Sequence, residues 1–359
     1  MSTPTPMFDL DDSDALISAD RDGLLRSAAT GGAQVRATQS AVDEGALDRL
    51  VGLRPRSVVL VTGEGLARRG AAVISAVLAQ RVPFPIVQVS STPSWVGPLD
   101  VVVVAGDDAG DPRLAQSVHG ALRRGAEVVL AAPDEGPLRD AAAGAAARLE
   151  PRVYALPRHT LLRFVAVYLA VLAAIDSSRW DASIPSLDQI ADAADAEAMQ
   201  DRPTNEVFHN PAKSLASRIV GRRAVFTGAS DATVELARHG AEAVLFGGIV
   251  ASSAPLSTVV PAAAALAYRA EPTDSLPTDS LFHDPEFDGP AADAPVRTFV
   301  VTPVSEQAVT AQRTGLLADA ELVVADRDDT GTMTELEQIA MITGRLDMVA
   351  AYLQLTGGR

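Results

Sequence analysis

The sequence predicts an α/β fold of two parallel sheets, each flanked by helices, and three observations carry that expectation. Short unbroken runs of β-branched residues recur, as in SVVLVT at 57–62 and VVVV at 101–104. Segments with helical periodicity separate most of them. The plan starts again past residue 220, with AVFT at 224–227 and FVVT at 299–302. A strand apolar on both sides needs cover on both sides, so strands of this kind alternating with helices belong to a buried parallel sheet.

The elements follow in order. Residues 1–14 are polar, rich in Pro and Asp, and form an arm. Residues 15–53 are helical: Leu24, Leu25 and Ala28 share one face, as do Ala46, Leu47 and Leu50. Strands are expected at Ser57–Thr62, Ile86–Val89, Val101–Val104 and Val128–Ala131, with a fifth at Val153–Leu156. Helices are expected at 67–80, 112–124 and 137–149. Arg158–Ile175 is a long apolar helix expected to pack against the other half. The boundary falls at 176–183, so the first domain is 15–176 and the second 177–359. In the second, Pro185–Gln200 and Pro211–Val220 each open with a proline, which suits a first helical position. A strand at Ala224–Thr227 leads through Gly228 to a helix at 232–242, and strands follow at Phe299–Thr302 and Leu322–Ala325. Glu271–Pro295, rich in Pro, Asp, Ser and Thr, is expected to be a loop or lid. The last helix spans 333–355, with Leu336, Ile339, Ala340, Leu346, Val349, Ala350 and Leu353 in one stripe.

Composition narrows the chemistry. With 359 residues, two domains of ordinary size can each bury a core. No cysteine is present, which excludes disulfides, thiolate metal sites and cysteine nucleophiles. The net charge of −16 repels nucleic acid and anionic membranes, so neither is an expected partner. The most apolar stretch, Phe164–Ile175, is too short to cross a bilayer, and residues 1–10 lack the apolar core of a signal peptide. A cytoplasmic location is the expectation. Lys213 is the sole lysine, so only this residue could form a lysine Schiff base.

Four local patterns bear on a site. Gly63-Glu64-Gly65 follows a strand and opens a helix, where backbone N–H groups can meet an anion. The competing reading is a tight strand-to-helix turn, since Arg68 stands where a dinucleotide fingerprint has its third glycine. Gly106-Asp107-Asp108-Ala109-Gly110-Asp111 follows the VVVV strand, at the carboxyl end where parallel sheets bind ligands. Asp111 before Pro112 suits a helix cap, while Asp107 and Asp108 are either solvated or cation ligands. Asn210-Pro211 caps another helix, leaving His209 and Lys213 as ligand candidates. Arg238, in the helix after Gly228, either reaches a sugar phosphate or sits on a solvated face.

The order of these pieces resembles the bifunctional phosphoglucose/phosphomannose isomerase family, which carries two sugar-isomerase (SIS) domains and forms dimers. The likeness covers most of the chain. It rests on VLVTGEG at 59–65, PFPIVQVSSTPSW at 83–95, Asn210-Pro211-Ala212-Lys213, and EQIAMITGRLDMVAAYLQLTG at 337–357. Within the family the chain resembles the actinobacterial TobH-like branch. The resemblance implies tandem SIS domains, a homodimer and a sugar-phosphate ligand. No cofactor and no metal are expected.

The sequence also departs from the family. The family's Ser/Thr-rich phosphate loop, SxSGxT, is matched here by residues 105–111, where carboxylates replace hydroxyls. A carboxylate ~5 Å from a phosphate costs about 3 kcal/mol per unit charge at an effective dielectric near 20. The family's catalytic Glu in NENxK is matched by residues 237–253, where Glu242 is the one carboxylate and is out of register. No His-Asn-Glu follows. The expected function is therefore a sugar-phosphate-binding SIS protein with degenerate catalysis, its ligand residues Gly63, Glu64, Gly65, Asp107, Asp108, Lys213 and Arg238. The alternatives are an active glucose 6-phosphate/mannose 6-phosphate isomerase, with Glu242 as base and His239 or His283 opening the ring, and a metal- or nucleotide-binding regulatory module on the Asp107 loop.

Overall fold

The computed structural model describes residues 9–176, 180, 183–268, 294–325 and 333–357. His283 and nearly all of the expected lid at 271–295 lie outside the described residues. The chain opens with helices α1 (Ser13–Ala19), α2 (Leu24–Ala28) and α3 (Gly31–Asp43). The first sheet and its helices follow: β1 (Ser57–Thr62), α4 (Leu66–Leu78), β2 (Ile86–Val89), β3 (Asp100–Ala105), α5 (Pro112–Arg123), β4 (Glu127–Ala131), α6 (Gly136–Ala142), β5 (Ala147–Arg148), α7 (Leu161–Asp176) and α8 (Leu187–Gln200). After these come α9 (Pro211–Ile219), β6 (Arg223–Gly228), α10 (Asp231–Ala243), β7 (Ala251–Pro255), α11 (Leu256–Val259) and α12 (Ala263–Tyr268). The described elements end with β8 (Val296–Val301), α13 (Gln307–Thr314), β9 (Ala320–Val323) and α14 (Glu335–Thr356). The chain divides into two units. One holds Arg21–Arg202 with Asp328–Asp347; the other holds Met1–Asp20, Pro203–Arg327 and Met348–Arg359.

The first unit contains a five-stranded, all-parallel sheet in the order β2-β1-β3-β4-β5. Its central strands are buried along their whole length, as their unbroken apolar runs require. From β1 the chain runs outward to β2, then returns to place β3 on the other side of β1. That reversal puts a topological switch point between the carboxyl ends of β1 and β3, where such sheets leave a crevice. Val59, Val61, Val102, Val104, Val128 and Leu130 meet Leu114, Val118 and Leu138 in one core cluster. On α4, glycine at position 70 permits close approach to α7: a Cβ there would stand 2.9 Å from Phe164 Cβ and 3.3 Å from the Val165 nitrogen. The buried Tyr168 hydroxyl donates to Ala67 O at 2.9 Å and ties the same two helices. Within its unit α7 also packs on α3 and α8.

The second unit repeats the plan with four parallel strands in the order β7-β6-β8-β9, so its switch point lies between β6 and β8. Phe226 and Phe299 stack across those two central strands at 5.2 Å between ring centroids. Helix α10 packs on β6 and β7. Glycine is required at 228, where a Cβ would lie 2.3 Å from the Thr233 carbonyl carbon.

The structure departs from the expected elements at four places. The helix expected over 137–149 stops at Ala142, because Ala143 (φ 44°) and Gly144 (φ 74°) adopt left-handed backbone and turn the chain back. The fifth strand is consequently Ala147–Arg148, paired with Val129 and Leu130, and not Val153–Leu156, where Tyr154 is exposed. Strand β7, ASSAP, has no apolar run to announce it; among the described residues it is an edge strand paired through β6. Helix α14 buries Met341, Ile342 and Tyr352 as well as the anticipated stripe, so it is covered on all faces rather than one.

Candidate functional site

The switch point of the first sheet brings two of the sequence motifs together. Thr62 pairs with Ala105 in register, and the Gly63 N–H continues the ladder by donating to Ala105 O at 3.0 Å. The Gly63–Gly65 turn and the 106–111 loop are therefore neighbours. Gly65 has φ 79° and ψ −138°, a backbone conformation that only glycine adopts without strain, and it starts α4. A third segment joins them: Gly106 N–H donates to Ala131 O at 3.3 Å, and Leu138 N–H donates to Ala109 O at 3.3 Å.

The acidic residues of the loop diverge. Asp111 caps α5, accepting from Arg113 N at 2.8 Å. The Arg113 guanidinium lies 3.3 Å from Asp111 and 3.7 Å from Glu64, an exposed network worth little stability. Asp108 folds onto its own loop and accepts from Gly110 N at 2.7 Å. Asp107 turns inward. Its Oδ2 accepts from Thr160 Oγ1 at 3.2 Å, and its Oδ1 lies 3.5 Å from Arg163 Nη1. The Arg163 side chain is only 5% exposed, and its other branch donates to Leu149 O at 3.3 Å. Burial pushes the Asp107 carboxyl above its ordinary range, against the opposing pull of Arg163 and Thr160. Burial likewise depresses the Arg163 guanidinium, and Asp107 resists that shift. The carboxylate expected to face a ligand therefore has its charge offset from within. Among the described residues, no group of three His, Asp or Glu side chains is arranged to hold a metal ion.

Arg163 and Thr160 were not sequence candidates. One signal for Arg163 was present, a single charge inside LLRFVAVYLAVLAAI, but its partner lies 56 residues upstream and no spacing rule links them.

The remaining candidates sit in the other unit. Arg238, His239 and Glu242 are all on α10 and face different ways. Arg238 is exposed and pairs with Glu235 at 2.5 Å, His239 is buried, and Glu242 is exposed. Lys213, in the first turn of α9, is 1% exposed. Its ammonium donates to Pro203 O at 2.7 Å and Asn205 O at 2.8 Å, and lies 5.7 Å from the Tyr352 ring centroid. Burial lowers its pKa, while Asp11 and Asp9 pull the other way. The neighbouring Asn210 caps α9 by accepting from Lys213 N at 2.8 Å. His209 is exposed beside it.

No protein-family model and no curated protein matches this sequence. Solved structures do match over nearly the whole chain. Tagatose-6-phosphate ketose/aldose isomerase from Escherichia coli aligns with a TM-score of 0.59 at 15% identity, covering 93% of this chain and 91% of that one. The C-terminal domain of glucosamine-fructose-6-phosphate aminotransferase from Francisella tularensis aligns at 0.57 and 8% identity, covering 96% of each. A glucose-6-phosphate isomerase like protein from Thermus thermophilus aligns at 0.55 and 17% identity, covering 97% and 95%. The chain thus has the tandem α/β fold of phosphosugar isomerases.

Proposed function

We propose that this protein binds a phosphorylated sugar of the glucose or mannose type at the switch point of its first sheet and does not isomerise it. The sequence resemblance to the TobH-like branch and the fold shared with phosphosugar enzymes support the ligand class. The nearly buried Arg163 beside Asp107 supports binding, because it places a cation behind the acidic loop. One observation carries the loss of chemistry. Aldose–ketose isomerisation needs a base at C1 and C2 and an acid/base to open the ring, both within hydrogen-bond reach of one substrate. Glu242 and His239 share one helix, yet the first faces solvent and the second is buried. The protein acts in this reading as a cytoplasmic homodimer that binds sugar phosphates. Calorimetric titration with glucose 6-phosphate and mannose 6-phosphate, paired with a coupled isomerase assay, tests it. Saturable binding with turnover at background is expected. Absence of binding to either sugar, or robust turnover, would overturn the reading.

A further inference from the structure

We propose that Asp107 is an internal occupant of an anion position formed by Arg163 and Thr160, which a ligand phosphate takes by displacing the carboxylate. Three features of the pair point there. First, place: the two loops of the switch point meet here, and ligands of parallel sheets bind at that edge. Second, layering. Arg163 and Thr160 are nearly buried, whereas 34% of the Asp107 side chain remains exposed, so the carboxylate lies between the cation and solvent. Among the described residues, Asp107 is the one carboxylate within ion-pair reach of Arg163. Third, incomplete pairing. Charge-assisted bonds between guanidinium and carboxylate settle near 2.7–2.9 Å. Here the contact is 3.5 Å, and Thr160 divides its single proton between Asp107 at 3.2 Å and Pro157 O at 2.9 Å. The guanidinium is thus held by a loosely seated monoanion that can swing outward from an exposed loop. Burial of the carboxyl, which disfavours its charged form, works in the same direction.

The consequence is selectivity. Inorganic phosphate must evict Asp107 using its own contacts alone, and loses. A phosphorylated sugar brings the binding energy of its sugar portion to the same exchange. This inference rests on the proposed function only for the sugar; the anion position stands or falls without it.

The test is thermal unfolding of the full chain in rising sodium phosphate against sodium chloride at matched ionic strength. The wild type is expected to respond equally to both salts. Asp107→Ser is expected to show a saturable rise of about 5 °C or more specific to phosphate. Asp107→Ser combined with Arg163→Met is expected to lose that rise. Asp107→Asn, which keeps the shape while removing the charge, is expected to respond to phosphate in the same sense and covers a failure of the serine variant to fold. Folded Asp107 variants that treat phosphate as chloride would overturn the proposal, as would a phosphate response that survives Arg163→Met. If the phosphate response appears as expected and the wild type still binds no sugar phosphate, Arg163 and Thr160 form an anion position, but displacement of Asp107 is overturned and the proposed function fails with it.

Discussion

Lys213 offers a sharp test of how this chain uses its charges. Replacing it with Met keeps the aliphatic stem and removes the ammonium. That loses two charge-assisted hydrogen bonds, to Pro203 O and Asn205 O, each worth about 1.5–3 kcal/mol, and leaves two carbonyls without their donor. It also loses the contact over Tyr352, roughly 0.5–2 kcal/mol. Against this stands the desolvation of an ammonium in a side chain 1% exposed, the same effect that lowers its pKa. The net cost of Lys213→Met is about 2–4 kcal/mol, seen as a Tm drop of roughly 5–10 °C. The pH dependence has a definite sign. A lysine depressed in the folded state binds fewer protons there than in the unfolded chain, between its folded pKa and the ordinary 10.5. Wild-type stability therefore rises with pH across that window, and the gap to Lys213→Met widens in the wild type's favour. Urea unfolding at pH 7.5 and through the alkaline range measures both effects. Reductive methylation adds an independent check, since native Lys213 should resist labelling and the unfolded chain should not. A variant as stable as wild type that instead loses sugar-phosphate affinity would refute the reasoning and return Lys213 to a ligand site.

Other outcomes follow from the packing. Glu197 is fully buried against Arg345 at 2.6 Å, so Arg345→Met alone should cost about 3–5 kcal/mol, while replacing both partners with apolar residues should cost far less; a chemical-denaturation double-mutant cycle measures this. Gly228→Ala should prevent native folding or destabilise severely, because the new Cβ meets backbone and not a movable side-chain end; soluble yield and circular dichroism report it. Tyr168→Phe should cost about 1 kcal/mol through the lost bond to Ala67 O, read as a shifted urea midpoint at unchanged m-value.

Where the chain could be understood locally, the sequence was enough. SVVLVT and DVVVVA announce central parallel strands because burial on both faces demands an unbroken apolar run. Asp111-Pro112 and Asn210-Pro211 announce helix starts because a cap and a fixed φ act within a few residues. The misses have equally physical causes. The Ala-rich segment near 143 carries helix propensity, and only the left-handed backbone at Ala143 and Gly144 ends the helix early. ASSAP lacks β-branched residues and becomes a strand because β6 offers it an edge. At the site the loop is legible in the sequence but its state is not. Nothing local reveals that Asp107 is answered by Arg163, or that Lys213 is committed to the carbonyls of Pro203 and Asn205.

The central claim, ligand binding without isomerisation, is tested most directly by following mannose 6-phosphate with the purified protein in D2O by proton NMR. Base-catalysed enolisation exchanges the C2 proton with solvent even when net conversion is slow. The expected result is saturation transfer from protein to the sugar protons, with the C2 signal undiminished over hours. Loss of that signal in the wild type, abolished by Glu242→Ala, would contradict the account and identify a working base.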